Sequence, residues 1–100
     1  LGANIHAENE DAFIHACGEG HFEIAKWLQS LEVDIHAHYE YAFRLACKEG
    51  HFEIAKWLHS LGVEYCEEYL FVNTCKNGYL EIAKILYTLG ADIHFNNDNA

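Results

Sequence analysis

Basic side chains are scarce in this sequence: six Lys and Arg stand against 16 Asp and Glu, a formal charge of −10 at pH 7. Such a surface repels phosphate backbones and anionic headgroups, which argues against nucleic acids and membrane surfaces as partners. No apolar run approaches the roughly 18 to 20 residues that a membrane span needs, and no charged-then-apolar leader resembles a signal peptide. The chain reads as soluble, and the thiols, expected to be reduced, favour a cytoplasmic or nuclear setting. Arranged nucleophiles are missing too: Ser30 and Ser60 stand alone at helix ends, no glycine-rich phosphate loop occurs, and the carboxylates are dispersed rather than paired. Neither an enzyme nor a cofactor is expected.

What the chain does contain is repetition. Residues 1–30 and 31–60 align without gaps and match at 20 of 30 positions, including the whole octet HFEIAKWL at 21–28 and 51–58. A third copy carries YLEIAKIL at 79–86 and opens with LGVEYC at 61, two residues shorter than the others; LGADIH at 89 begins a partial fourth. The chain reads as one array with repeats at about 1–30, 31–60, 61–88 and 89–100. A fixed period of this length signals stacked supersecondary units.

Each copy predicts two short helices. Ala12, Phe13, Ala16 and Cys17 form one apolar stripe on a first helix of about two turns, and the pattern recurs at Ala42, Phe43, Ala46, Cys47 and at Leu70, Phe71, Thr74, Cys75. Gly20, Gly50 and Gly78 end these helices. The second helix turns Ile24, Ala25, Leu28 and Leu31 inward, with Trp27 at its edge, while Glu23 and Lys26 pair on the wet side. Helices below about 12 to 15 residues are marginal alone, so each unit has to lean on its neighbour.

These residues resemble the ankyrin repeat family over all 100 positions; ACGEGHFEIAKWLQSLEVDIHA looks like the family's helix, Gly-His turn, second helix and outgoing hairpin. The resemblance implies an all-α repeat solenoid, an ankyrin-like stack of helix-turn-helix units joined by short hairpin loops. Two departures stand out. DAFI, YAFR and YLFV replace the Thr-Pro-Leu-His opening, with no proline anywhere, and the 30-residue period falls below the usual 33, which predicts stubby hairpins. Such short, proline-free repeats are similar to those of giant viruses that infect amoebae.

Four thiols and eight histidines invite a metal reading. Cys17 with His21 and Cys47 with His51 sit four apart, but a glycine turn separates each pair and a zinc site needs three or four converging ligands. No metal is expected. Cys17, Cys47 and Cys75 occupy one place in successive layers about 8 to 10 Å apart, too far for a disulfide, so reduced core thiols are expected. His6, His36 and His94 share one position in the strand leading into the hairpin, where a hydrogen bond along the row of hairpins is the expected role.

Comparing copies separates what the architecture fixes from what it leaves free. The second helix is almost frozen, whereas Glu8/His38, Asn9/Tyr39, Asp11/Tyr41, Ile14/Arg44, His15/Leu45 and Gly18/Lys48 differ between the first two copies. In ankyrin-like stacks the hairpins and first helices line the concave binding side. The expected partner-binding residues are Glu8, Asn9, Asp11, His38, Tyr39, Tyr41, Arg44, Lys48, Glu67, Glu68, Tyr69 and Lys76. Tyrosines flanked by an acidic rim that also includes Glu10 and Glu40 suit a protein with a basic surface. A purely structural spacer and a metal-binding unit are the alternatives. Both ends cut through hairpin segments, so fraying or end-to-end self-association is a further expectation.

Overall fold

The structure, a computed structural model, describes residues 5–93, with side chains described over 8–90. The elements are α1 (Ile5–Glu19), α2 (Phe22–Ser30), α3 (Ala37–Lys48), α4 (Phe52–Ser60), α5 (Glu68–Lys76) and α6 (Leu80–Ile93), with no strand among the described residues. They form three helix pairs. Within each pair the helices pack on one another, and the layers join through α1 on α3, α3 on α5 and α4 on α6. The result measures 53 × 22 × 19 Å, an all-α repeat stack.

Its apolar interior runs through the layers rather than around one centre. Phe13, Cys17, Phe43, Cys47, Ile54, Leu58, Val63, Ile82 and Leu86 are buried in one continuous cluster. Thr74 stands where the other copies have Ala16 and Ala46; it is fully buried, with its hydroxyl satisfied by the Phe71 carbonyl 2.8 Å away. Lys26 and Glu23 pair at 3.4 Å on the wet side of α2.

Position in the stack overrides the inward stripe expected for the second helix. Ile24 is 50% exposed, whereas Ile54 and Ile82 are 2% and 1% exposed in the same register; Leu31 is exposed in copy one and so is its counterpart Leu61 in copy two, so that position does not face inward in either. For Ile24 the difference is the neighbour. On α4, Trp57 meets Phe13 at 6.2 Å and Phe22 at 5.3 Å between ring centroids, both from the preceding copy. No described residue covers α2 in that way, and Trp27 is 61% exposed. The thiol expectation divides similarly: Cys17 and Cys47 are buried, Cys75 on α5 is exposed, and all are free.

The segment before each first helix also differs among copies. In copy one it is helical, so α1 is 15 residues long rather than about two turns and His6 lies inside it, not in a strand. Glu8 in its first turn complements the positive end of the helix. In copy two, His38, Tyr39 and Glu40 have φ between 57° and 63° with ψ between 35° and 51°, a left-handed turn before the right-handed part of α3. Copy three lacks two residues here and enters α5 through an extended Glu67. At the other end of the helix pairs, α6 continues through residues 89–93, whose counterparts 61–65 have left α4.

One clasp recurs at both layer junctions. Gly20 and Gly50 turn with φ of +85° and +83°, and a Cβ at either would lie 2.7 Å from a ring of the next copy, His51 in one case and Tyr79 in the other. The His51 Nε2–H also donates to the Gly18 carbonyl at 3.1 Å. Gly78 has φ +76° but no described atom within 4 Å of such a Cβ. Gly78→Ala therefore costs only the left-handed backbone term of about 1 kcal/mol, while Gly20→Ala adds displacement of the ring and costs about 2 to 3 kcal/mol. Urea unfolding of the two variants checks this; equal losses would contradict the clasp.

Candidate functional site

The face made by α1, α3 and α5 carries two adjoining depressions. One, of about 440 Å³, is lined by Asp11, Ile14, His15, His38, Tyr39, Tyr41, Arg44 and Leu45. The other, of about 240 Å³, is lined by Tyr41, Arg44, Leu45, Lys48, Glu67, Tyr69 and Leu70. Tyr41, Arg44 and Leu45 belong to both, so the two merge into one strip across the three first helices. Helical spacing explains the sharing: 41, 44, 45 and 48 fall on one face of α3.

Arg44 sits at the middle of the strip. Its guanidinium carbon is 5.2 Å from the Tyr41 ring centroid and 5.5 Å from that of Tyr65, and cation–π contacts of this kind contribute about 0.5 to 1 kcal/mol each. The Tyr65 hydroxyl donates to the Glu67 carboxylate. Partial burial raises the Tyr65 pKa first, the hydrogen bond to Glu67 and its charge raise it further, and Arg44 opposes them. Arg44 thus rests against two aromatic rings, and a side chain that already has such contacts has less freedom to lose when something binds it.

Tyr39 is presented differently. It is 85% exposed and lies inside the left-handed turn. Each non-glycine residue in that conformation costs roughly 1 to 2 kcal/mol. Local bonds hold the turn: the Glu40 N–H donates to the His36 carbonyl at 3.2 Å, the Glu40 carboxylate meets His36 Nδ1 at 2.7 Å, and Asp34 Oδ1 accepts from the His36 N–H at 3.0 Å. Asp34 is tied in turn to the first copy, its N–H donating to Glu10 at 3.3 Å. His36 thus bonds within its own segment, which corrects the expected hydrogen bond along a row of hairpins; His94 lies outside the described residues.

Of the twelve expected binding residues, Asp11, His38, Tyr39, Tyr41, Arg44, Lys48, Glu67 and Tyr69 line the strip. Glu8, Glu68 and Lys76 are exposed and Asn9 is half-buried, none of them lining either depression. Ile14, His15, Leu45 and Leu70 line the strip as well, and Tyr65, beside Glu67, packs on Arg44. Ile14 and Leu45 were visible among the positions that vary between copies, and Tyr65 as the aromatic standing where the other copies have Ile5 and Ile35.

No group of three or more His, Cys, Asp and Glu capable of holding a metal occurs among the described residues. Burial pushes the Cys17 thiol up to about 12 and the Cys47 thiol higher still, which favours the neutral thiol at both. The Ser30 and Ser60 hydroxyls donate to the Trp27 and Trp57 carbonyls at their own helix ends. No described helix is long and apolar enough to cross a membrane.

A family model for ankyrin repeats in three copies matches residues 1–69. No curated protein and no solved structure matches the chain.

Tyr39→Gly relieves one left-handed residue at the expense of chain entropy in the unfolded state, so it is expected to raise stability by about 0.5 to 1 kcal/mol. Chemical denaturation measures this, and a loss of stability would show that the Tyr39 ring packs on the fold.

Proposed function

Because the chain belongs to the ankyrin repeat family, a non-enzymatic fold whose members generally bind other proteins, we propose that it recognises a partner protein through the strip on α1, α3 and α5. The observation that carries this reading is Arg44 set against the rings of Tyr41 and Tyr65, in two adjoining depressions whose linings include apolar Ile14, Leu45 and Leu70. Tyr and Arg in that setting are the residue types that dominate interface energies. Tyr39 adds an aromatic ring held out from the surface by a turn that costs free energy to maintain, a form of strain that accumulates at binding sites.

The partner's chemistry follows from what surrounds those anchors. Asp11 and Glu67 line the strip, Glu8 and Glu68 stand exposed near its ends, and the whole chain carries −10. A protein surface bearing Lys or Arg is steered toward it and weakened by salt. The conserved octets of the second helices hold the layers together and leave the first helices free to vary.

The test compares the wild-type chain with a Tyr39→Ala, Tyr41→Ala, Arg44→Ala triple variant, first as bait for partner capture and then by calorimetric titration of the captured protein. Loss of at least about 2 kcal/mol, roughly thirtyfold in Kd, is expected, with wild-type affinity falling as salt rises. Unchanged affinity rejects this face. A strip that captures nothing would favour the architectural spacer instead.

A further inference from the structure

The charges along the strip alternate in sign. Asp11 lines the depression on the α1 side and Glu67 the one on the α5 side, and between them α3 contributes Arg44 and, one turn on, Lys48. Like charges four residues apart on one helix face repel each other, so this pair is stabilised by any anion that settles beside it.

The chain does not supply that anion. On the second helices, Lys26 and Lys84 each take a glutamate of their own helix, Glu23 and Glu81. Neither Arg44 nor Lys48 forms an ion pair among the described residues. Glu40, four residues before Arg44, is the carboxylate that a regular helix brings alongside, but the left-handed turn at residues 38–40 sets it on His36 Nδ1 at 2.7 Å instead. Glu67, which shares a depression with Arg44, accepts the Tyr65 hydroxyl. For Lys48 no carboxylate stands three or four residues to either side.

Taking the strip as the binding surface, on which this inference rests, we propose that its partner is a protein segment in which one Asp or Glu is flanked on both sides by Lys or Arg. The carboxylate enters the depression lined by Arg44 and Lys48, where the planar guanidinium offers two parallel N–H donors and the ammonium adds its charge. The flanking basic side chains lie toward Asp11 and Glu67. Positive, negative, positive in the partner thus answers negative, positive, negative in the strip. A singly charged carboxylate suits the place better than a phosphate, because Asp11, Glu67 and the net charge of −10 repel a second negative charge.

A library of short random peptides, each held between fixed sequences of a display protein so that no free carboxyl terminus is offered, tests the idea by panning on the whole chain. Enriched peptides are expected to share one Asp or Glu with Lys or Arg on both sides. Changing that residue to its amide is expected to weaken binding to the wild type about tenfold or more, and binding to an Arg44→Gln, Lys48→Gln variant by less than about twofold. Far-UV circular dichroism confirms that the variant stays helical; if it does not, Lys48→Gln alone, at an exposed side chain, replaces it, with the amide penalty expected to fall to roughly threefold. Enriched peptides that lack an acidic residue, an amide penalty equal on wild type and variant, or a library that yields no binder each overturn the inference. The strip is judged separately with a Tyr39→Ala, Tyr41→Ala variant. Peptides of any pattern that bind this variant more weakly keep the strip as the binding face, and peptides that bind it as tightly as the wild type reject that face and the inference with it.

Discussion

Everything in this fold depends on one constraint: no helix pair here can bury its own apolar side chains, so each is finished by the next. The second helices α2 and α4 are nine residues long, below the length at which an isolated helix holds in water. They persist because Trp57 settles on Phe13 and Phe22 and the His51 ring closes over a turn that only glycine leaves open. The first-helix stripe does the same work on the other side, with Phe13 and Phe43 fully buried between layers. Stability is then a sum over junctions rather than a property of one core.

That division of labour frees the first helices for recognition. Residues that close the junctions are the same in copies one and two and give way to Tyr79, Leu80 and Ile85 in copy three, whereas residues on the outer face of α1, α3 and α5 already differ between the first two copies. The sharpest divergence is the segment before each first helix. It is right-handed helix in copy one, a left-handed turn at His38, Tyr39 and Glu40 in copy two, and two residues shorter in copy three. Only Glu8/His38 and Asn9/Tyr39 differ in this stretch; Glu8 favours the start of a helix by propensity and charge, and with His38 in its place the chain takes the strained turn that projects Tyr39. One architectural slot thus holds three shapes along a single surface.

The period, the paired helices, the turn glycines and the stacked arrangement were all legible in the sequence, since repetition within one chain shows which residues the architecture requires. Burial was not. Ile24 and Ile54 have identical neighbours along the chain, and only the presence of a preceding layer makes one exposed and the other buried; no local pattern encodes that. Cys75 differs from Cys17 and Cys47 for the mirror reason: α1 and α3 each have a following first helix packed on them, and no described helix follows α5 in that way. At the candidate site, the variable positions pointed to the right helices, but the sandwiching of Arg44 between Tyr41 and Tyr65 depends on how the loop before α5 folds back, which spacing alone does not convey. The length of α1 escaped for the opposite reason: a segment read as hairpin in every copy is helical in one.

The central claim, that a layer is stabilised by the one before it, is tested most directly by making the same substitution at two positions within the identical octets. Trp57→Ala removes a ring lodged on the preceding copy and is expected to cost about 3 kcal/mol in urea unfolding. Trp27→Ala, in the same local sequence but with no described layer before it, is expected to cost less than about 1 kcal/mol. Equal losses at the two sites would show that the tryptophan stabilises its own helix pair, and would contradict the account.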